Sequence, residues 1–435
     1  MTTTGKLRTR FAERRVTIGL ALTALLLAGV PAMSTAGAAT SEGLECASAT
    51  QQTFNLTAGD GYVSTPDGNS LYMWSYGMSS GGFQLPGPTL CVVSGQKVTV
   101  VLHNTLPEET SIVFPGQRGV TADGDPAQPQ LNATGGMTSM VQAADANSGS
   151  VTYEFTAGSP GTYLYESGTD MNKQVQMGLY GALVVRPAGH PDQVNNRADS
   201  KFDPQHEYVF LLSEVDPDLH LAVERHDPVD WSSYRARYFM INGRSMPDTL
   251  APNHASWLPH QPYGALVHIK PYDASTNPDP AVIRYLNAGT VNYPFHPHGS
   301  DERVVNTDGQ ALAGSNAEDL SYLKYDIDVQ PGQSVDALMD WRDAEHWNAS
   351  TNPIPTTIPA ITDQLLVGPD TWFSESPYLG SKGAVPTNIT DNNQCGEYYH
   401  VAHSHALEQA TNYGATFGGM MTVFRIDPPA GCPAN

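Results

Sequence analysis

Short apolar runs of strand length, cut by glycine- and proline-rich turns, set the rhythm of this chain. From Cys46 to Arg186 they include Lys97-Val-Thr-Val-Val-Leu102, Ser150-Val-Thr-Tyr-Glu-Phe155, Thr162-Tyr-Leu-Tyr165 and Leu179-Tyr-Gly-Ala-Leu-Val-Val185. Strands at such spacing predict a sandwich or barrel. A second block opens at Glu207-Tyr-Val-Phe-Leu-Leu-Ser-Glu214. It continues through Tyr238-Phe-Met-Ile-Asn-Gly-Arg244, Ala265-Leu-Val-His-Ile-Lys270, Val282-Ile-Arg-Tyr-Leu286, Tyr325-Asp-Ile-Asp-Val329 and Met420-Met-Thr-Val-Phe424. Residues 188–205 are polar and read as a linker; residues 341–386 are irregular and read as a long inserted loop. Helix is expected only as a turn or two near Leu407. The pattern therefore predicts an all-β chain in two blocks, 46–187 and 206–430.

Residues 1–38 stand outside that pattern. Lys6, Arg8, Arg10, Arg14 and Arg15 precede an apolar stretch from Val16 to Val30, and Ala36-Gly-Ala38 supplies small residues for cleavage. This is the make-up of a signal peptide, and the apolar stretch is shorter than the roughly 20 residues a membrane span needs. The Arg14-Arg15 pair leaves both general secretion and twin-arginine export open. A secreted protein is expected.

Composition narrows the partners. The chain has 435 residues, 40% of them hydrophobic, with 40 Gly and 33 Pro, enough to bury two or three cores. Without the leader it keeps 17 basic and 43 acidic side chains, a net charge of about −26. Such a surface repels phosphate, so neither nucleic acid nor an anionic membrane is an expected partner. A small molecule or a metal ion is. The four cysteines, Cys46, Cys91, Cys395 and Cys432, favour two disulfides in an exported chain. Three pairings exist. Their positions at opposite ends favour Cys46 with Cys91 and Cys395 with Cys432. Sequons begin at Asn55, Asn132, Asn348 and Asn388.

Candidate chemistry concentrates in Tyr293-Pro-Phe-His-Pro-His-Gly299. On a strand, His296 and His298 point to the same face. His403-Ser-His405 repeats the spacing downstream. Two such pairs predict a metal site built across a sheet. His400 would face away from His403, and His254, His260 and His268 read as surface residues. Asp326 and Asp328 alternate on a strand and read as a solvated face. Leu71-Tyr-Met-Trp74 and Trp372-Phe373 read as packing.

With these motifs in hand, the chain resembles the multicopper oxidases along nearly all of its length after the leader. The resemblance rests on Pro86-Gly-Pro-Thr-Leu90, Gly161-Thr-Tyr-Leu-Tyr165, Gly178-Leu-Tyr-Gly-Ala-Leu-Val-Val185, Ile241-Asn-Gly-Arg244 and the two histidine pairs. One block of each kind is present, which implies two cupredoxin-like Greek-key β-sandwich domains, as in two-domain laccases and copper nitrite reductases. Homotrimers with metal sites between neighbouring domains are implied by the same analogy.

Family members place four His-x-His pairs around an oxygen-reducing copper cluster and a separate blue copper on two His, one Cys and often a Met. Here Val113 and Pro115 stand at one first-domain pair, and Glu166 and Gly168 at the other. Only His296, His298, His403 and His405 remain. At the blue copper, Tyr293 replaces the first histidine, Ser404 the cysteine and Gln409 the second histidine, leaving Met420 or Met421. Without thiolate a blue centre is not expected. The four imidazoles would hold copper, with zinc as the alternative ion, at about 2.0–2.1 Å. Glu166 from a neighbouring subunit would serve as an oxygen ligand or base. The resemblance thus implies a secreted oxidoreductase with a reduced copper site; a non-catalytic copper-binding or storage protein and a metal-free structural protein are the alternatives.

Overall fold

The computed structural model describes residues 42–48, 52–342, 395–414 and 418–428. The expected signal peptide, nearly all of the expected inserted loop, and Trp372-Phe373 lie outside the described residues. Strands dominate. The first sandwich contains β1 (Thr53–Ser64), β2 (Ser70–Met78), β3 (Gly87–Val93), β4 (Lys97–Asn104), β5 (Ser150–Thr156), β6 (Gly161–Glu166) and β7 (Tyr180–Arg186). One sheet runs β2-β1-β4-β5, extended by two short strands, and the other β6-β7-β3. The alternation read in residues 150–156 survives: Val151, Tyr153 and Phe155 are buried and their neighbours are not. They pack with Phe54, Leu56, Leu102, Phe114 and Tyr165 in a core between the sheets.

The second sandwich contains β8 (Glu207–Val215), β9 (Tyr238–Ile241), β10 (Val267–Ile269), β11 (Ala281–Asn287), β12 (Tyr293–Pro297) and β13 (Glu302–Thr307). It is completed by β14 (Ile327–Val329), β15 (Ser334–Met339), β16 (Tyr398–Ser404) and β17 (Met421–Ile426). Its sheets run β9-β8-β11-β15-β13, again with short extensions, and β10-β17-β16-β12-β14. Phe210, Tyr285, Phe295, Phe424 and Met420 fill the space between them. The parallel pairs β1–β4, β3–β7, β8–β11 and β10–β17 require crossovers, which gives both sandwiches Greek-key character.

The 3₁₀ turn near Leu407 is present, at Leu407–Ala410. Two α-helices were not legible. One, Met171–Met177, is closed by Gly178 in the left-handed region (φ 117°). The other, Pro217–Glu224, starts with proline at N1 and a capping Asp216 whose carboxylate accepts from Asp218 N and Leu219 N. Both are too short for the apolar period to stand out. Residues 188–205 are also more than a tether. Val194 and Phe202 are fully buried against Val282, Val305 and Leu338. Cys46 and Cys91 form a disulfide; Cys395 is disulfide-bonded as well, and Cys432 lies outside the described residues. Among the described residues no helix is long and apolar enough to cross a membrane.

An apolar seam joins the two sandwiches: Leu85, Leu164, Tyr180 and Ala182 pack against Leu211, Val215, Met240 and Leu286. Beside it lies a buried ionic network. Arg284, 1% exposed, reaches Glu207 Oε1 at 2.7 Å and Asp336 Oδ1 at 3.1 Å, and donates to Thr162 Oγ1 of the first sandwich at 3.1 Å. Arg186, also from the first sandwich, holds the second oxygen of Glu207 at 2.8 Å. Burial alone would push Glu207 up, but Arg284 and Arg186 hold it below its ordinary value. Removing one partner of such a network strands the others in low dielectric. Arg284→Leu should therefore cost about 3–5 kcal/mol, read as a lower urea midpoint with an unchanged m-value.

A second buried carboxylate carries a pH signature. Glu302 is fully buried and accepts from Tyr285 at 2.9 Å, while its Oε2 has no hydrogen-bond partner. Burial pushes it up to about 8, partly opposed by the tyrosine hydroxyl. The folded chain thus keeps a proton that the unfolded chain releases near 4.3. This stabilisation is fully present below the unfolded value and is lost as pH rises through about 8. Glu302→Gln should leave stability at pH 4 nearly unchanged and raise it by roughly 2 kcal/mol or more at pH 8.5. Parallel denaturant titrations at the two pH values check this.

Candidate metal centre

Strand alternation in β12 and β16 creates the site. Tyr293, Phe295 and Pro297 face the core, as do Ala402 and Ser404, so His296, His298, His403 and His405 share the opposite face. The antiparallel register sets His296 directly across from His403. Ring centroids lie 4.6 Å apart for His296–His298, 5.1 Å for His296–His405, 5.3 Å for His298–His403 and 5.8 Å for His403–His405. The two predicted pairs therefore meet, on a solvent-facing surface.

Their hydrogen bonds suit ligation. His296 Nδ1 donates to the Tyr325 carbonyl at 2.6 Å and His403 Nδ1 to the Ser404 carbonyl at 2.8 Å. Each bond places the ring proton on Nδ1 and leaves Nε2 with its lone pair, the support that metal-bound histidines usually have. His298 Nε2 lies 3.3 Å from His403 Nε2, about the separation of two nitrogens on one tetrahedral ion at 2.0–2.1 Å. Desolvation first, then the neighbouring imidazoles, lowers His298 and His403, which keeps them neutral and able to bind. As the side chains stand, no group of three or more His, Cys, Asp or Glu among the described residues is placed to hold a metal ion. By donor chemistry, imidazoles presenting Nε2 suit a copper or zinc ion. One oxygen also points inward unclaimed. Asp326 Oδ1 is buried without a hydrogen-bond partner, and its carboxyl is electrostatically coupled to His296, His405 and His403. Of the two aspartates read as a solvated face, Asp328 is exposed and Asp326 half-buried.

The residues read by resemblance as standing at blue-copper positions, Ser404, Gln409 and Tyr293, have their hydrogen bonds satisfied by neighbours. Ser404 Oγ donates to Gln409 Oε1, and Gln409 Nε2 donates to the Asn292 carbonyl at 3.1 Å. The fully buried Tyr293 sends its hydroxyl to Glu214 Oε2. Glu214 Oε1 accepts from Thr290 N and Oγ1, both at 2.7 Å, and from Tyr234 at 3.1 Å. Met420 is buried beside them and offers only a thioether. Serine, glutamine and tyrosine here form a neutral polar lining with no soft anionic donor.

The first-sandwich positions are closed as well. Val113 and Glu166 exchange backbone hydrogen bonds of 2.8 and 3.2 Å, which aligns the two segments read as lost histidine pairs. A Cβ at Gly168 would lie 2.7 Å from Val113 Cγ1, so a histidine there has no room. Ser111, Ser139 and Thr169 share hydroxyl hydrogen bonds of 2.9–3.1 Å in the buried space. Glu166 faces none of the histidines within the chain: only burial acts on it, pushing it up to about 7.

Among the other histidines, His254 is exposed beside Glu45, and His260 reaches the Tyr62 carbonyl at 2.9 Å. His268 differs from the surface reading. Its ring is largely buried between Asp427 and Glu42, at 2.9 and 2.5 Å. Burial would lower it, but the two carboxylates raise it to about 9. Both partners are remote in sequence, so no local pattern marks it. His400 points inward as expected, against Gly299.

A sequence profile of a multicopper oxidase domain matches residues 78–190. A multicopper oxidase, CTB12, of Cercospora beticola is 32% identical over 155 residues, 34% of this chain and 20% of its own length. An L-ascorbate oxidase of Cucurbita maxima is 26% identical over 309 residues, 64% of this chain and 46% of its own. The chain thus spans less than half the length of these curated relatives. Its fold is similar to the blue copper oxidase of Nitrosomonas europaea, with a TM-score of 0.55, 18% identity and coverage of 86% and 85% of the two chains.

Proposed function

We propose that this chain, which belongs to the multicopper oxidase family, is an exported oxidoreductase working with a reduced copper set on His296, His298, His403 and His405. The observation that carries the reading is the convergence of these four rings on one sheet face, two of them with Nδ1 tied to backbone carbonyls. Copper bound there would supply one-electron redox chemistry toward oxygen. The chain's own part is to keep the imidazoles neutral and oriented. Electron entry through a blue copper is not part of the reading, since Ser404, Gln409 and Tyr293 occupy its ligand positions with satisfied hydrogen bonds. That same lining favours a second reading, copper binding or storage without turnover. Export is supported by the Cys46–Cys91 disulfide, which belongs to an oxidising compartment.

A homotrimer would complete the site. Exposed apolar side chains flank both halves: Met137 and Met140 near Gly168, and Tyr325 and Leu407 near the histidines. Apolar surface beside half-built sites suits burial against a second copy. In that assembly Glu166, tuned to about 7 by burial, would hold or release a proton opposite the imidazoles of the neighbouring subunit.

Elemental analysis of the purified mature protein should find stoichiometric copper, lost in His296→Ala/His403→Ala, without a strong band near about 600 nm. Metal-free protein from copper-supplemented cells would sink the reading. Oxygen uptake with electron donors separates the enzyme from the storage protein. Sedimentation should give three chains per particle, and Met140→Glu should shift the mass toward one chain; a wild-type monomer rules out the shared site.

A further inference from the structure

The sheet that carries the histidines places one more donor in their row. β12 pairs with β14 in the register Tyr293–Val329, Pro294–Asp328 and Phe295–Ile327. Asp326 immediately precedes β14, and continuing that register by one residue would bring it beside His296, whose partner on the other side is His403. Ile327 and Val329 are buried, so Asp326 and Asp328 lie on the histidine face. Cross-strand neighbours on one face have Cβ atoms about 4.5–5.5 Å apart, so a carboxylate, an imidazole and a second imidazole form one line across three strands.

The two aspartates are not equivalent. Asp328 is taken: Asn292 Nδ2 donates to Oδ1 at 2.5 Å and Gln330 Nε2 to Oδ2 at 3.0 Å. Asp326 Oδ1 has neither water access nor a partner. A carboxylate oxygen stripped of water and left unpaired is costly, and it persists where a bound cation can repay the loss. Among the charged groups around it, Lys324 and Asp328 are exposed, and His296, His405 and His403 are the groups coupled to it on the sheet face.

We propose that Asp326 is an oxygen ligand of the metal ion held by His296, His298, His403 and His405, making a mononuclear site of four neutral nitrogens and one carboxylate. This rests on the copper reading above. It also sharpens it: a single hard anionic donor favours Cu(II) over Cu(I).

The test loads mature protein with copper(II) sulfate and compares it with Asp326→Asn and Asp326→Ala. Electron paramagnetic resonance should give one Cu(II) signal with mixed nitrogen and oxygen ligation. In both variants g∥ should fall toward the all-nitrogen value, and Cu(II) affinity should drop at least tenfold. Copper-free Asp326→Asn should melt no lower than copper-free wild type, since it loses an unpaired buried charge. An unchanged spectrum, with or without weaker binding, overturns the proposal, because it reduces Asp326 to a bystander or a positioning residue. Wild-type protein that binds no more Cu(II) than His296→Ala/His403→Ala overturns it together with the copper reading, which separates the two failures.

Discussion

The site depends on the pairing of β12 with β16. Phe295 fixes that register from the core side, packed against Phe210 and Tyr285 with ring centroids 5.5 Å from each. With Phe295 inward, its neighbours His296 and His298 must face outward, and Ala402 and Ser404 impose the same choice on His403 and His405. A slip of β12 by one residue would turn His296 and His298 into the core and bring Phe295 into water. The hydrophobic effect therefore positions the polar chemistry without touching it.

That sheet is held in a fixed relation to the first sandwich by two kinds of contact. The apolar seam through Leu164, Tyr180, Leu211 and Leu286 supplies non-directional attraction. Arg284, Glu207, Asp336, Thr162 and Arg186 add direction, because a buried guanidinium has a narrow set of acceptable partners. Phe202, from the segment between the sandwiches, closes over the guanidinium at 5.6 Å. The connecting segment is part of the joint.

Away from the four histidines, buried polar groups form complete networks: Ser404 with Gln409, Tyr293 with Glu214, and Ser111 with Ser139 and Thr169. Buried polar groups are tolerated on those terms. Asp326 breaks the pattern with an unclaimed oxygen beside the retained imidazoles.

Sequence alone determined what is local and periodic. The strand runs and the two His-x-His pairs sharing a face follow from spacing and residue type. Tertiary structure decided what depends on remote pairing. It laid β14 beside β12, enclosed His268 between Glu42 and Asp427, buried Glu302 under Tyr285, and drew Val194 and Phe202 into a core. The reason is physical. A residue's direction is set by its own backbone, but its burial, charge state and partners are set by whichever distant strand arrives beside it.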